Sequence, residues 1–126
     1  MKRKIILLIT ITLTIGIATY GYYFFNIPIK GKGFTKMTIY LNRDKEGPNV
    51  ITDREVLNTV IDTINSSSRK DMSKIIFEEG PDGRIIFSGK NKVVEVGVFR
   101  NGGNVVTDKY YIITGLNLDE IINKNN

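Results

Sequence analysis

Residues 5–25 read IILLITITLTIGIATYGYYFF and contain no charged side chain. A helix needs about 20 consecutive apolar residues to cross the hydrocarbon core of a bilayer, and this stretch has that length. Residues 1–4 are strongly basic, and the next charged residue is Lys30. The sequence therefore predicts a transmembrane helix over residues 5–25, with residues 1–4 as its basic flank and residues 26–33 as a linker.

The last part of this apolar segment is rich in aromatic residues, whose rings favour the membrane–water interface. We expect this end to lie on the far side of the bilayer from the basic flank. The side chains predicted to anchor the chain in lipid are Ile5, Leu7, Leu8, Ile11, Leu13, Ile15, Tyr20, Tyr22, Tyr23, Phe24 and Phe25.

A cleavable signal peptide is the alternative interpretation of the same segment. Gly16 and Ala18 are small residues at the spacing that cleavage after Ala18 needs. Cleavage there would leave a mature chain with five aromatic residues among its first seven, which is an unfavourable terminus for a soluble protein. The sequence therefore favours a retained anchor, and a secreted effector or inhibitor released by this cut is the alternative.

The orientation in the membrane is predicted from what lies directly beside the span. Lys and Arg occur on both sides of it, so a count under the positive-inside rule does not set the orientation. The N-terminal charges adjoin the span together with the α-amino group, and long domains are translocated largely regardless of charge. We therefore expect a single-pass protein of the cell membrane whose C-terminal domain lies outside the cytoplasm.

The composition excludes several kinds of chemistry. The net charge is +5, but three of the positive side chains lie in residues 1–4, so the rest of the chain is nearly balanced and binding to nucleic acid is not expected. The chain has no cysteine and no histidine, which excludes disulfides, thiol catalysis, a histidine general base and an ordinary zinc site. We therefore predict no cofactor, no metal and no enzymatic activity.

The first elements predicted after the linker are a strand and an amphipathic helix. Residues 34–41 alternate between apolar and polar side chains, which indicates a strand. Its buried face is expected to carry Met37, Ile39 and Leu41, and its exposed face Lys36, Thr38 and Tyr40. Thr52 and Glu55 form a capping box, so a helix is expected from Asp53 to Asn65. Its apolar stripe consists of Val56, Leu57, Val60, Ile61 and Ile64.

The stretch from Met72 to Thr114 is predicted to form an antiparallel meander. Apolar runs separated by glycine-rich turns indicate strands over residues 74–78, 84–88, 93–100 and 105–114. Asn101-Gly102 is the strongest hairpin signal, because both residues tolerate positive φ. Asn117 then caps a short helix that carries Leu118, Ile121 and Ile122.

Together these elements predict an α+β domain over residues 34–126 that follows the transmembrane helix. The predicted element order is β-α-β-β-β-β-α, with an antiparallel meander sheet packed by one amphipathic helix. One face of such a sheet packs on the helix and the other faces water. On the face exposed to water, Glu95 and Phe99 are the residues that we predict to contact a partner protein.

Two groups of acidic residues are candidates for chemistry. Asp44 and Glu46 do not have the spacing of a calcium-binding loop, and basic residues flank them. Glu78, Glu79 and Asp82 surround a turn, where paired carboxylates would support a hydrolase. Consecutive strand residues point to opposite faces, so we do not expect these acids to converge. A carboxylate-dependent hydrolase is therefore the less favoured alternative.

Three motifs occur in a fixed order along the chain: a capped helix at Ile51-Thr52-Asp53-Arg54-Glu55-Val56, an aromatic strand at Asp108-Lys109-Tyr110-Tyr111 and a short helix over Leu116–Ile122. This layout resembles small extracytoplasmic domains of Gram-positive bacteria such as the YhfM-like lipoproteins, over about the last ninety residues. The resemblance implies a fold and an extracytoplasmic location and carries no site residues. The chain has no lipobox cysteine, so residues 5–25 are its expected anchor.

The expected function is that of a membrane-tethered extracytoplasmic binding or accessory module in a bacterial cell envelope. Its expected partners are the membrane and a second envelope protein. The contact would use the water-exposed face of the sheet, with Glu95 and Phe99, or an edge strand.

Overall fold

A computed structural model describes residues 1–42 and 47–125 of the chain. The chain divides into two compact units, residues 1–30 and the residues from Gly31 onward. The first unit contains the helix α1, Lys2–Asn26. Asp44 and Glu46, considered above as calcium ligands, lie outside the described residues.

The second unit has the predicted α+β fold. In the described part of the chain it contains a seven-stranded antiparallel sheet and two further helices. The strands are β1 (Phe34–Leu41), β2 (Asn49–Ile51), β3 (Ser68–Asp71), β4 (Gly83–Gly89), β5 (Val93–Val98), β6 (Val105–Val106) and β7 (Tyr110–Ile113). The helices are α2 (Arg54–Ser66) and α3 (Leu118–Asn125), and a single 3-10 turn covers Met72–Lys74.

The strand order across the sheet is β2-β1-β4-β5-β6-β7-β3. Strands β4 to β7 follow one another as a meander, because short turns connect antiparallel neighbours. In the turn between β4 and β5, the amide of Gly89 donates a hydrogen bond to the carbonyl of Lys92 at 2.9 Å. β1 lies on the other side of β4, and the short strands β2 and β3 form the two edges of the sheet.

The core lies between one face of the sheet and the two helices. Strand pairing places Met37 opposite Phe87 and Ile85 opposite Val96, and all four side chains are buried. The buried side chains of the helices are Leu57, Val60, Ile61 and Ile64 in α2, and Leu118 and Ile122 in α3. The 3.6-residue period of apolar side chains thus decides which side of each helix is buried.

The N-terminus of α2 differs from the prediction. Asp53, and not Thr52, is the N-cap, because its Oδ1 accepts hydrogen bonds from the amides of Glu55 (2.9 Å) and Val56 (3.2 Å). Aspartate caps a helix at least as well as threonine, and its charge favours the positive end of the helix dipole. The helix therefore begins one residue later than predicted, at Arg54.

The predicted strand over residues 74–78 is wrong, because a 3-10 turn ends at Lys74 and residues 75–82 contain no strand. The predicted strand over 105–114 is broken into β6 and β7. The hydroxyl of Thr107 accepts hydrogen bonds from the amides of Lys109 and Tyr110, which turns the chain between the two parts.

The observed order in the second unit is β-β-α-β-β-β-β-β-α, and both helices pack on the sheet.

Candidate functional site

From Ile5 onward, the surface of α1 is uncharged and mostly apolar on all sides. None of its residues is buried, and the eleven predicted anchor residues all lie on this helix, with exposed fractions of 47% (Phe24) or more. A helix that is apolar all round is stable in an apolar environment and not in water. α1 is long and apolar enough to cross a membrane, and an N-terminal signal sequence has the same properties.

The polar side chains of α1 form hydrogen bonds within the helix. The hydroxyl groups of four threonines each donate to the carbonyl four residues earlier, at 2.8–2.9 Å; these are Thr10, Thr12, Thr14 and Thr19. Nδ2 of Asn26 donates to the carbonyl of Tyr22 at 2.7 Å. Unsatisfied polar groups are costly in hydrocarbon, so these internal bonds make the helix compatible with lipid.

The side of the sheet opposite the core, here called the outer face, is formed by Thr38, Tyr40, Arg84, Ile86, Glu95 and Gly97 among others. The sequence predicted that this whole face is exposed to water, but part of it is buried. Thr38 is only 7% exposed, because β1 is an inner strand and Val50 and Ile86 flank Thr38 in the register. A polar residue at an alternating position is therefore buried when both neighbouring strands carry apolar side chains.

In residues 75–82, which were predicted to include a strand, Phe77 and Pro81 contact the outer face instead, while most of the other residues are exposed. The ring of Phe77 lies 5.5 Å from that of Phe99 and 5.6 Å from that of Tyr111, centroid to centroid. A β-carbon on Gly97 would lie 3.0 Å from Cγ of Pro81, so glycine allows this close approach. The predicted contact residue Phe99 is therefore half-buried in an aromatic cluster formed by Phe77, Phe99 and Tyr111.

Another part of the outer face remains exposed and centres on Arg84. The guanidinium carbon of Arg84 lies 4.7 Å from the centroid of the Tyr40 ring, and its Nη1 lies 3.7 Å from Oε1 of Glu95. About half of each charged side chain is exposed, 52% and 54%. The predicted contact residue Glu95 thus lies beside a cation and an aromatic ring, and we call Tyr40, Arg84 and Glu95 the outer-face patch.

The acidic residues considered for catalysis have separate roles. Glu78 and Glu79 are exposed. Asp82 is half-buried, and its Oδ2 accepts a hydrogen bond from the amide of Arg100 at 2.9 Å. Its carbonyl accepts another from the amide of Asn42 at 2.8 Å, so Asp82 stabilises the loops at one end of the sheet. Within residues 1–42 and 47–125, no three acidic side chains are grouped closely enough to hold a metal ion.

A groove of about 460 Å³ lies between α2 and the segment that leads into α3. Its apolar lining includes Val56, Val60, Leu116 and Ile121, and its charged lining includes Glu55, Glu120 and Lys124. Val56 is half-buried because it borders this groove. The Lys124 ammonium donates to Oε1 of Glu120 at 2.6 Å and attracts its charge, which lowers the pKa of that carboxyl. No local sequence signal could have found the groove, since it depends on how two distant helices are placed.

Comparison with protein-family models, with curated proteins and with solved structures finds no match to this chain. The resemblance to the YhfM-like lipoproteins therefore stays a prediction. The apolar helix and the exposed surfaces of the second unit are the features from which a function can be inferred.

Proposed function

We propose that this protein is a membrane-tethered binding or accessory module of a bacterial cell envelope, with the unit from Gly31 onward outside the cytoplasm. The observation that supports the proposal is α1, a 25-residue helix with no buried residue. An apolar surface of this extent is unfavourable in water. Insertion into lipid removes that surface from water, and the internal hydrogen bonds of the threonines remove the cost of their hydroxyl groups.

Two features of α1 support a retained anchor rather than a cleaved signal. The helix continues without a break through Ala18 to Asn26, so it has the length of a complete span. Its aromatic residues lie in the last turns, over residues 20–25, as expected for the membrane–water interface. The basic residues that adjoin the start of the span support a cytoplasmic N-terminus.

The outer-face patch supports binding of another protein. Arg84 and Glu95 present charges of both signs, and Tyr40 adds an aromatic ring. Tyrosine and arginine are enriched among the residues that contribute most to protein–protein binding. The chain supplies neither histidine nor cysteine as a nucleophile or general base, so we assign the domain a binding role and not a catalytic one.

The tether is tested by measuring the intact mass of the protein recovered from cell envelopes. We expect the mass of the chain with residues 1–18 still attached, in the membrane pellet that survives an alkaline carbonate wash. A chain that lacks these residues and is found in the medium would support the secreted alternative. A full-length chain dissolved in the cytosol would contradict both proposals.

The orientation is tested by adding protease to intact cells. We expect the unit from Gly31 onward to be digested while a cytoplasmic protein in the same cells stays whole. Protection of this unit until the cells are lysed would place it in the cytoplasm and contradict the proposal.

The contact surface is tested by in-cell photo-crosslinking. A photoreactive amino acid replaces Glu95, and the matched control carries it at Asp62, an exposed acidic residue of α2. We expect a covalent adduct with an envelope protein from position 95 and none from position 62. An adduct from position 62 alone would show that the partner binds the helical side of the domain.

A further inference from the structure

Four lysines lie at the end of the sheet where β1 begins. Lys32 and Lys36 belong to the start of the second unit, and Lys90 and Lys92 belong to the turn between β4 and β5. The register pairs Phe34 with Gly89, which places this turn directly beside the start of β1. We call Lys32, Lys36, Lys90 and Lys92 the basic end; the first three are exposed and Lys92 is half-buried.

Lys92 connects the two segments of the basic end. Its ammonium nitrogen lies 4.4 Å from the centroid of the Phe34 ring. The same nitrogen lies 2.8 Å from where a β-carbon of Gly31 would be. The fold therefore assembles this cluster from two segments that are more than fifty residues apart in the chain.

The basic end contains no acidic residue in either of its segments. Residues 27–42 and 83–94 include no Asp or Glu. The opposite end of β5 carries charges of both signs, because Nη2 of Arg100 pairs with Oδ1 of Asp119 at 2.7 Å. Positive charge is therefore concentrated on the segment that leads into β1 and on the turn between β4 and β5. At the same end of the sheet, the outer strands carry acidic residues, because Asp53 follows β2 and Asp71 ends β3.

The covalent chain limits how far the basic end can move from α1. Asn26 is the last residue of the helix and Gly31 the first of the second unit. An extended chain covers at most about 3.6 Å per residue. Gly31 therefore stays within about 18 Å of Asn26 in every orientation of the second unit. A tether of this length allows the basic end to reach the headgroups of the membrane that α1 crosses.

We propose that the basic end binds anionic lipid headgroups and holds the domain against the membrane that anchors it. This inference rests on the proposed tether, which keeps the basic end within reach of the membrane surface. A negative surface potential attracts lysine side chains that come within about one Debye length, about 8 Å at physiological salt. In the docked state the turn between β4 and β5 contacts headgroups, and the loop after β5 points away from them.

The experiment uses the full-length chain in lipid vesicles, with a fluorophore on a single introduced cysteine. The natural chain has no cysteine, so each label is unique. Asn91→Cys places the label in the turn of the basic end, and Asn101→Cys is the matched control, because it is an exposed asparagine at the opposite end of β5. The quencher is a nitroxide on the lipid headgroup, in vesicles of phosphatidylcholine with or without phosphatidylglycerol.

We expect the label at position 91 to be quenched several-fold more strongly in vesicles that contain phosphatidylglycerol than in phosphatidylcholine alone. High salt should abolish the difference, and the label at position 101 should show none. Equal quenching at position 91 in both kinds of vesicle would overturn the proposal. So would an equal response at positions 91 and 101, because the attraction would then not belong to the basic end.

Charge variants separate lipid binding from a change in folding. Lys32→Gln combined with Lys90→Gln should lower the ratio of docked to free domain by roughly 25-fold, at about fivefold for each lysine near an anionic surface. Lys32→Arg combined with Lys90→Arg should keep the wild-type quenching. Lys92 is left unchanged because its side chain packs on Phe34. Failure of the arginine variant to bind like the wild type would overturn a role for charge.

The same vesicles distinguish failure of the tether from failure of this inference. Retention of the chain on phosphatidylcholine vesicles at high salt depends on α1 alone. A chain that is not retained there refutes the tether, and the docking that depends on it. A chain that is retained but shows no effect of lipid charge on the label at position 91 refutes only the role of the basic end.

Discussion

Replacing Phe77 by Ala tests whether residues 75–82 pack on the outer face of the sheet. The Phe77 ring lies 5.5 Å from the Phe99 ring and 5.6 Å from the Tyr111 ring, whereas the neighbouring Ile76 is 97% exposed. Both residues belong to the same apolar run, so the sequence does not distinguish them. The structure predicts that, of these two side chains, Phe77 contributes to the free energy of unfolding and Ile76 does not.

The expected loss of stability follows from burial and from the two ring contacts. Truncating a fully buried phenylalanine to alanine costs about 3–5 kcal/mol, and Phe77 is only partly buried. Each aromatic pair adds about 0.5–1.5 kcal/mol beyond its buried area. We therefore expect Phe77→Ala to lower the free energy of unfolding by about 2–4 kcal/mol. Ile76→Ala, the matched control, should change it by less than about 0.5 kcal/mol.

The assay is urea unfolding of the full-length chain in detergent micelles, followed by far-ultraviolet circular dichroism. Helix α1 contributes a constant signal there, so the transition reports the second unit. The midpoint for Phe77→Ala should fall well below that of the wild type, with an unchanged dependence on urea. The midpoint for Ile76→Ala should match the wild type. Coinciding curves for the two variants would refute the packing of this segment on the sheet.

Three further predictions concern the helices of the second unit. Val60 is 2% exposed, so Val60→Asp puts a charge into the core and should abolish the cooperative urea transition; an unchanged transition would show that the buried side of α2 is wrong. Asp53→Ala should lower stability by about 1 kcal/mol, and Thr52→Ala should leave the urea midpoint unchanged, because Asp53 caps α2. The hydrogen bond from Lys124 and its charge lower the pKa of Glu120 below its ordinary value of 4.5. The charged Glu120 carboxylate therefore stabilises the folded state at neutral pH, and this stabilisation is lost as the pH falls through the lowered pKa. The difference in urea midpoint between Glu120→Gln and the wild type should accordingly disappear in acid.

Patterns between close neighbours in the chain predicted much of the second unit. The alternation in residues 34–41 predicts a strand with the bounds of β1. The 3.6-residue period predicts a stripe of five residues on α2, of which four are buried and Val56 is half-buried. Asn117 caps α3 as predicted, since its Oδ1 accepts from the amide of Glu120 at 3.1 Å. These features depend on hydrogen bonds and spacing within a few residues, which the sequence displays directly.

The surfaces of the second unit were predicted only in part. The sequence places Glu95 on the face opposite the core, but it does not place Arg84 and Tyr40 beside it. It likewise gives no indication that Lys90 and Lys92 lie beside the start of β1. These neighbours are far apart in the chain, and the strand register brings them together.

The sequence by itself determined the uncharged span of α1, the α+β class and the side of each helix that is buried, because periodicity and composition act locally. The tertiary structure decided that Asn49–Ile51 and Ser68–Asp71 are edge strands, since such short segments are strands only when a neighbour supplies hydrogen-bond partners. It also decided that Phe77 packs while Ile76 is exposed. Phe77 packs because the fold brings the rings of Phe99 and Tyr111, which are distant in the chain, next to its own ring. The residues near Phe77 in the sequence do not show these neighbours.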